Sequence, residues 1–327
     1  MSANTYASTA PREELSLAIM EGAALNKAII WDQILPPLGL TQRTAHLPKL
    51  GIANAELHRI IQDLSAPGAD IPRMTAQIDD ANLNVAIRKQ EIGIPLEAEM
   101  DYSKLFSLES FYAQQLGNKV LSLTAEWLTA AALFSTTNFG AATNSTVAYT
   151  VANKTTNSMM SDIVDALNRV LDAGELADTV VIPALVLERA AGSSSVTAFV
   201  QGQLAATSEV NATTIELALK RIGWDVKVFV GRAQYNSGAK GAKTLTRIWS
   251  SSYIWVGRRG YKNESTDAGI PLLDGVGQTP YWLDYGLMVG ESYLDQPREQ
   301  QVVRGKMSGN PTILNANAGT LIATQFA

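Results

Sequence analysis

The sequence predicts an α+β fold, and three features carry that prediction. Ile92-Gly93-Ile94-Pro95-Leu96-Glu97-Ala98-Glu99-Met100 places apolar residues at every second position, the period of an extended strand. A helical period then takes over, with Leu105, Leu108, Tyr112, Leu116, Val120, Leu123 and Trp127 at spacings of three and four. Further on, helices are grouped between strands instead of alternating strictly with them.

Taken in order, residues 1–50 read as an arm. Leu15, Ile19, Ala23 and Ile30 form one loosely amphipathic helix, ended by Pro36-Pro37. Residues 51–100 read as a projecting hairpin. Its first half, near Ile60-Ile61, leads into the turn-rich Ser65-Ala66-Pro67-Gly68-Ala69-Asp70, and its second half returns along Asn84–Met100. A two-stranded hairpin is marginal in water by itself, so this one must borrow a surface from its own body or a neighbour. A spine helix follows over 102–134, about 50 Å long at 1.5 Å per residue.

Ser135–Thr156 is a polar loop with one edge strand expected around Val147–Val151. Ser161 is the expected N-cap of a helix striped by Ile163, Leu167, Val170 and Leu171 and closed by Gly174. Thr179–Pro183 is a buried strand. Thr214–Ile222 is a helix with Gly223 at its C-cap, and strands follow at Trp224–Val230, Leu245–Trp249, Ser252–Val256 and Gln301–Met307. No internal repeat is visible.

At 327 residues, 46% apolar and 17% charged, the chain can build a real core. Its net charge of −5 argues against a dedicated nucleic-acid binder, though not against a protein that encloses nucleic acid. Without cysteine there are no disulfide staples and no thiolate metal sites. No secretory signal is visible after Met1, and no apolar run reaches the ~20 residues of a membrane span, so a soluble protein made in a reducing cytoplasm is expected. Four Asn-x-Ser/Thr sequons, such as Asn144-Ser145-Thr146, read as chance in a chain rich in Asn and Thr.

The search for chemistry comes back negative. His46 and His58 have no partner at metal-binding spacing and read as surface or packing residues. Gly238-Ala239-Lys240-Gly241-Ala242-Lys243-Thr244 lacks the Gly-Lys-Ser/Thr ending of a phosphate loop and reads as a mobile basic loop. Gly275-Val276-Gly277 reads as a turn. Ser193-Ser194-Ser195 lacks a nucleophile elbow and reads as a polar loop. Glu97 and Glu99, two apart on an alternating strand, read as a charged edge facing solvent or another subunit. Arg258-Arg259-Gly260-Tyr261-Lys262 is the densest basic cluster: a solvated turn or an intersubunit salt bridge, with phosphate contact the alternative.

An N-terminal arm, an extended hairpin, a long helix and a mixed α/β body together resemble the major capsid proteins of tailed bacteriophages, the Hong Kong 97-type fold. Asp178-Thr179-Val180-Val181-Ile182-Pro183 after the Ile163–Leu171 helix looks like that family's passage from peripheral to axial domain. Ile222–Val228, Gly231–Asn236, Arg247-Ile248-Trp249 and Tyr253-Ile254-Trp255-Val256 resemble axial-domain strands and the loop after the first. Gln301-Val302-Val303-Arg304-Gly305 resembles the late long strand. The resemblance covers roughly residues 10–325 and rests on layout more than on signature residues.

The resemblance implies an arm at 1–50, an extended loop at 51–100 and a peripheral domain at 101–183, completed by a strand near 300–310. An axial domain would span 184–290, with 291–327 returning to the body. It implies a structural, non-enzymatic protein that assembles with itself into hexamers and pentamers of an icosahedral shell around double-stranded DNA. No cofactor, metal or membrane is implied. The expected intersubunit contacts are Arg73, Arg88, Lys89, Glu97, Glu99, Arg258 and Arg259. Some relatives carry a long N-terminal scaffolding extension, and only about ten residues precede the first helix here. Scaffolding is therefore expected from a separate protein, alongside a portal and a cement protein. Lys89 and Asn84 lie in the segment where some relatives cross-link, but any hairpin would place polar residues there. The alternatives are an encapsulin-like compartment shell and an α+β enzyme with an unrecognised site.

Overall fold

Leu15, Ile19 and Gly22 share one helix face, and that face is buried, so the expected arm is a docked helix, α1 (Glu13–Ala24). The computed structural model describes residues 12–50, 78–102, 107–150, 152–153, 155–204, 209–239, 242–260 and 275–326. The expected strand near Ile60, the turn at Ser65–Asp70, His58 and Arg73 lie outside the described residues. Helix α1 ends well before Pro36-Pro37. Asn26 turns the chain there, its Oδ1 accepting from the Ala28 N–H at 3.2 Å and its amide donating to the Asn118 carbonyl at 3.1 Å. One further turn, α2 (Trp31–Ile34), precedes β1 (Pro37–Leu40).

The hairpin is made by β2 (Thr44–Leu50) and β3 (Ile78–Asn84), antiparallel from Thr44↔Asn84 to Leu50↔Ile78. It begins earlier in the chain than the expected residue 51. The returning half divides. Strand β4 (Ile87–Pro95) belongs to the body, and Leu96–Tyr102 is helix α3, not strand. Leu-Glu-Ala-Glu-Met are strong helix formers directly behind a proline, and propensity overrides the two-residue alternation.

The spine comprises α4 (Leu108–Leu116), a π turn at Gly117–Leu121 and α5 (Ser122–Leu133). Ser107 caps it, its Oγ accepting from the Ser110 N–H at 3.3 Å, so it starts later than the expected residue 102. At 1.5 Å per residue, 108–133 is about 39 Å long. The π turn inserts an extra residue and rotates all that follows. The buried series becomes Leu116, Leu121, Ala125, Thr129 and Leu133, while the expected core residues Val120 and Leu123 are half-buried and Trp127 is 48% exposed. The turn sits where α1 crosses. A side chain on Gly117 would strike the Ile19 carbonyl, and one on Gly22 the Gln114 carbonyl.

Next come α6 (Thr136–Phe139), β5 (Thr143–Asn144) and α7 (Met159–Asp172). No strand forms over 147–150 among the described residues, because Thr146 and Val147 are bonded to Asp162 and Ser158 instead. The N-cap of α7 is Ser158, not Ser161, and Gly174 closes the helix at φ 87°. Strand β6 (Thr179–Pro183) leads into α8 (Ala184–Ala191) and α9 (Ser194–Leu204), so the expected serine loop opens a helix. Helix α10 (Ala212–Arg221) is held by an Asn211–Thr214 capping box. Then follow β7 (Lys227–Gly231), β8 (Gln234–Asn236), β9 (Leu245–Arg247) and β10 (Tyr253–Gly257). The last strands are β11 (Gly277–Trp282), β12 (Met288–Asp295), β13 (Gln300–Ser308), β14 (Thr312–Ile313) and β15 (Gly319–Ala323).

The central sheet has the order β5-β15-β10-β6-β7. Its inner strands β6 and β10 are apolar on both faces, which suits burial on both sides. Val180, Ile182, Val228, Ile254, Val256 and Ile322 pack against α7 to α10. The intervening Val181, Phe229, Trp255 and Leu321 pack against Ala130 and Leu133 of the spine. Strand β6 bonds to both β7 and β10, so one sheet runs across the expected boundary at 183/184. A second sheet, β12-β13-β4, lies under α1 and the first half of the spine through Leu15, Ile19, Ile94, Leu116 and Val303.

Candidate assembly surface

The hairpin β2–β3 forms a sheet of its own, with no third strand among the described residues. Its base is anchored by Leu83 and Val85, which pack with Leu40, Ala45 and Trp282. Beyond that anchor the ladder continues to Leu50↔Ile78.

A charged ladder crosses the second sheet. Arg304 on β13 donates from Nε to Glu91 of β4 at 2.5 Å and lies 3.5 Å from Glu291 of β12. Lys306, next on the same face, is paired with Glu291, which is only 2% exposed. Tyr293 OH donates to Glu91 at 3.3 Å, and the Arg304 guanidinium stands 4.9 Å from the Tyr293 ring. Burial alone would lower the Arg304 pKa, but the hydrogen bond and charge of Glu91 outweigh it and hold the guanidinium firmly charged.

Two buried carboxylates each gather several donors, Glu126 from distant segments and Asp162 from the loop before its own helix. Glu126 of α5 accepts the Ile30 and Trp31 N–H groups on Oε2, each at 2.9 Å, and the Trp249 indole N–H on Oε1 at 2.6 Å. Burial pushes its pKa up to about 7, against the pull of those hydrogen bonds, and Asp32 adds a like charge. Asp162 accepts from Thr146 N–H and Oγ1, Tyr149 OH and Ser158 Oγ, at 3.1, 2.7, 2.8 and 2.6 Å. Burial, then the Asp162 charge, drives the Tyr149 hydroxyl well above the usual range. Both carboxylates are engaged by several hydrogen bonds within the fold. Among the described residues no group of His, Asp and Glu is placed to hold a metal ion, and no helix is long and apolar enough to cross a membrane.

The residues singled out from sequence scatter over this framework. Arg88 is half-buried and donates to the Gly309 carbonyl at 2.8 Å, and burial lowers its pKa. Lys89 is exposed and stands across the ladder from Lys306. Glu97 and Glu99 lie on α3 and so do not share a strand face. Arg258 meets Glu175 at 3.0 Å and Arg259 meets Asp178 at 3.4 Å, so both arginines have carboxylate partners within the subunit. His46 is exposed on β2.

Sequence reasoning passed over Glu126, Asp162 and the Glu91–Arg304–Glu291–Lys306 ladder. One signal was present. Glu126 sits in Leu123-Thr124-Ala125-Glu126-Trp127-Leu128, an acid inside an otherwise apolar helix, where burial requires donors from elsewhere.

No protein-family model matches the sequence, and no curated protein matches it. Solved structures do match. A phage-related protein from Bordetella bronchiseptica RB50 superposes with a TM-score of 0.69 at 14% identity, covering 97% of this chain and 98% of that one. The capsid of cyanophage P-SCSP1u gives 0.57 at 13% identity, over 93% and 89%. The putative capsid protein of an E. coli CFT073 prophage gives 0.57 at 10%, over 97% and 99%. The chain has the fold of phage capsid proteins. Within this capsid fold the match runs nearly end to end, so the spine, the central sheet and the second sheet are parts of one shared architecture and not additions to it. A virus-like particle from Pyrococcus furiosus shares the capsid fold too, with a TM-score of 0.54 at 11% identity over 95% and 98%.

Proposed function

We propose that this protein is a major capsid protein, a structural subunit whose copies form hexamers and pentamers of an icosahedral shell around packaged double-stranded DNA. The observation that carries this reading is the shared fold with the cyanophage capsid over 93% of the chain. The two-stranded hairpin agrees with it, because such a ribbon gains stability when a neighbouring copy supplies a third surface. The net charge of −5 fits an interior that lets DNA enter without gripping it. The reading places the protein in the virion, assembled in the host cytoplasm, with a portal and with scaffolding and cement proteins as further partners.

Expression of the chain followed by negative-stain microscopy tests the reading. Closed shells of uniform diameter are expected, and a population of only monomers or small oligomers at every concentration would end it. A shell that does not carry a genome is the second reading, favoured by the likeness to the P. furiosus virus-like particle. Nuclease-protected genomic DNA in particles from infected or induced cells separates the two.

A further inference from the structure

The π turn at Gly117–Leu121 has a consequence on the outside of the spine. By rotating α5 it leaves Val120, Leu123 and Trp127 lining a groove, with Lys119 at one end and Tyr235 and Asn236 of β8 as the opposite wall. The β8–β9 hairpin that supplies that wall is basic. Arg232, Lys243 and Arg247 are exposed, and from Val226 to Gly260 the sequence contains no Asp or Glu. Val120, Leu123 and Trp127 give the groove its apolar lining, Lys119 is the charged residue within it, and the exposed cations stand on or next to the hairpin that supplies its other wall.

The complementary surface lies on α1. Its inner face is fixed on its own spine, and its outer face carries Leu17 at 54% exposure and Met20 at 50%, with Glu13, Glu14 and Glu21 exposed around them. Leu17 to Leu25 and Val120 to Trp127 each span about two helical turns, so the two apolar stripes match in length. Exposed apolar stripes rimmed by charge mark contact surfaces, and opposite rims select the partner and its register. Resting on the capsid reading, we infer that the outer face of α1 in one copy docks in the spine groove of a second copy. Met20 and Leu17 would meet Leu123 and Trp127, with the glutamates facing Lys119 and the hairpin cations. A contact between two different patches of the same chain links successive subunits, as a closed shell requires.

The absence of cysteine makes a direct test clean. Met20→Cys and Leu123→Cys subunits, each with a single thiol and a different tag, are co-assembled and treated with a short bis-maleimide. A covalent dimer carrying both tags is expected, with neither variant cross-linking efficiently to itself. In parallel, Glu13→Lys/Glu21→Lys and Lys119→Glu/Arg247→Glu should each lower shell yield at least tenfold, and the two together should restore it to within about twofold. Shells of normal yield without the mixed dimer would overturn the contact while leaving the capsid reading intact. A wild-type chain that forms no particles would sink both. Cross-linking only to a different protein would also overturn it. So would Lys119→Glu/Arg247→Glu subunits that assemble normally but lose salt-sensitive binding of a duplex DNA fragment, because the groove would then serve nucleic acid.

Discussion

The Trp249 indole N–H donates to Glu126 Oε1 over 2.6 Å, joining residues 123 positions apart. The other oxygen holds the Ile30 and Trp31 N–H groups, so one side chain ties the spine to the N-terminal segment and to the segment leading into β10. Its carboxyl is raised from 4.5 to about 7 by burial. A carboxyl raised on folding binds more protons in the native state than in the unfolded chain. Its contribution is therefore fully present below pH 4.5 and is lost as pH rises through 7, a swing on the order of 3 kcal/mol. Melting temperature measured from pH 5 to pH 8 should fall more steeply for wild type than for Glu126→Gln, which has no proton to lose. Glu126→Ala leaves buried donors without an acceptor and should cost more at pH 5 than at pH 8, since only the wild type loses stability as the carboxyl ionises.

The crossing of α1 over the spine depends on two missing side chains. Gly117→Ala would drive a methyl into the Ile19 carbonyl, so α1 must lift away from α4. A loss of about 1–3 kcal/mol in urea unfolding is expected, the range for overpacking a fitted interface. Gly202→Ala serves as the control. It is exposed within α9 with nothing near its Cβ position, and should stabilise by about 0.5–1 kcal/mol.

The Lys306–Glu291 pair is the most buried ion pair among those of the described residues. Lys306→Ala removes the closest cation from the enclosed Glu291, whose arginine contact, Arg304, lies at 3.5 Å, and should cost about 3 kcal/mol. The double variant Lys306→Met/Glu291→Met removes both charges and should recover most of that loss. Chemical denaturation of the two variants checks the difference. Equal losses would mean that packing, not charge, governs the site.

Much of this fold was legible because burial on both faces leaves a plain mark. Thr179–Pro183 and Tyr253–Val256 read as strands because nearly every residue is apolar, and each proved to separate two cores. The spine was legible from Leu108 and Leu116, but its buried face was followed correctly only as far as the π turn. A shift of one residue in a helix is invisible to periodicity until the partner helix is known, and here the partner is α1 at Gly22. The helix at Leu96–Tyr102 was hidden by a chance alternation of Leu, Ala and Met with glutamates. As for the candidate surface, charged residues announce themselves in sequence but their partners do not. Arg258 and Arg259 looked available to a neighbour, yet Glu175 and Asp178 had already come close to them in the fold.

The hairpin gives the sharpest separation between folding and assembly. Strand β4 pairs with β13 along its whole length, from Ile87↔Ser308 to Pro95↔Gln300, so any deletion that reaches Ile92 removes part of the body's own sheet. The separable unit ends at β3. Replacing His46–Asn82 with an Asn-Gly turn keeps the Thr44↔Asn84 and Ala45↔Leu83 pairs and the Leu83–Val85 anchor. This variant should stay folded, with a melting temperature within a few degrees of wild type, since the buried residues of all four described cores are kept. It should form no closed shells by electron microscopy, while a deletion through Ile92 should yield insoluble or molten protein. Normal shells from the shorter deletion would show that neighbouring copies do not depend on the ribbon, and the link between that ribbon and assembly would have to be abandoned.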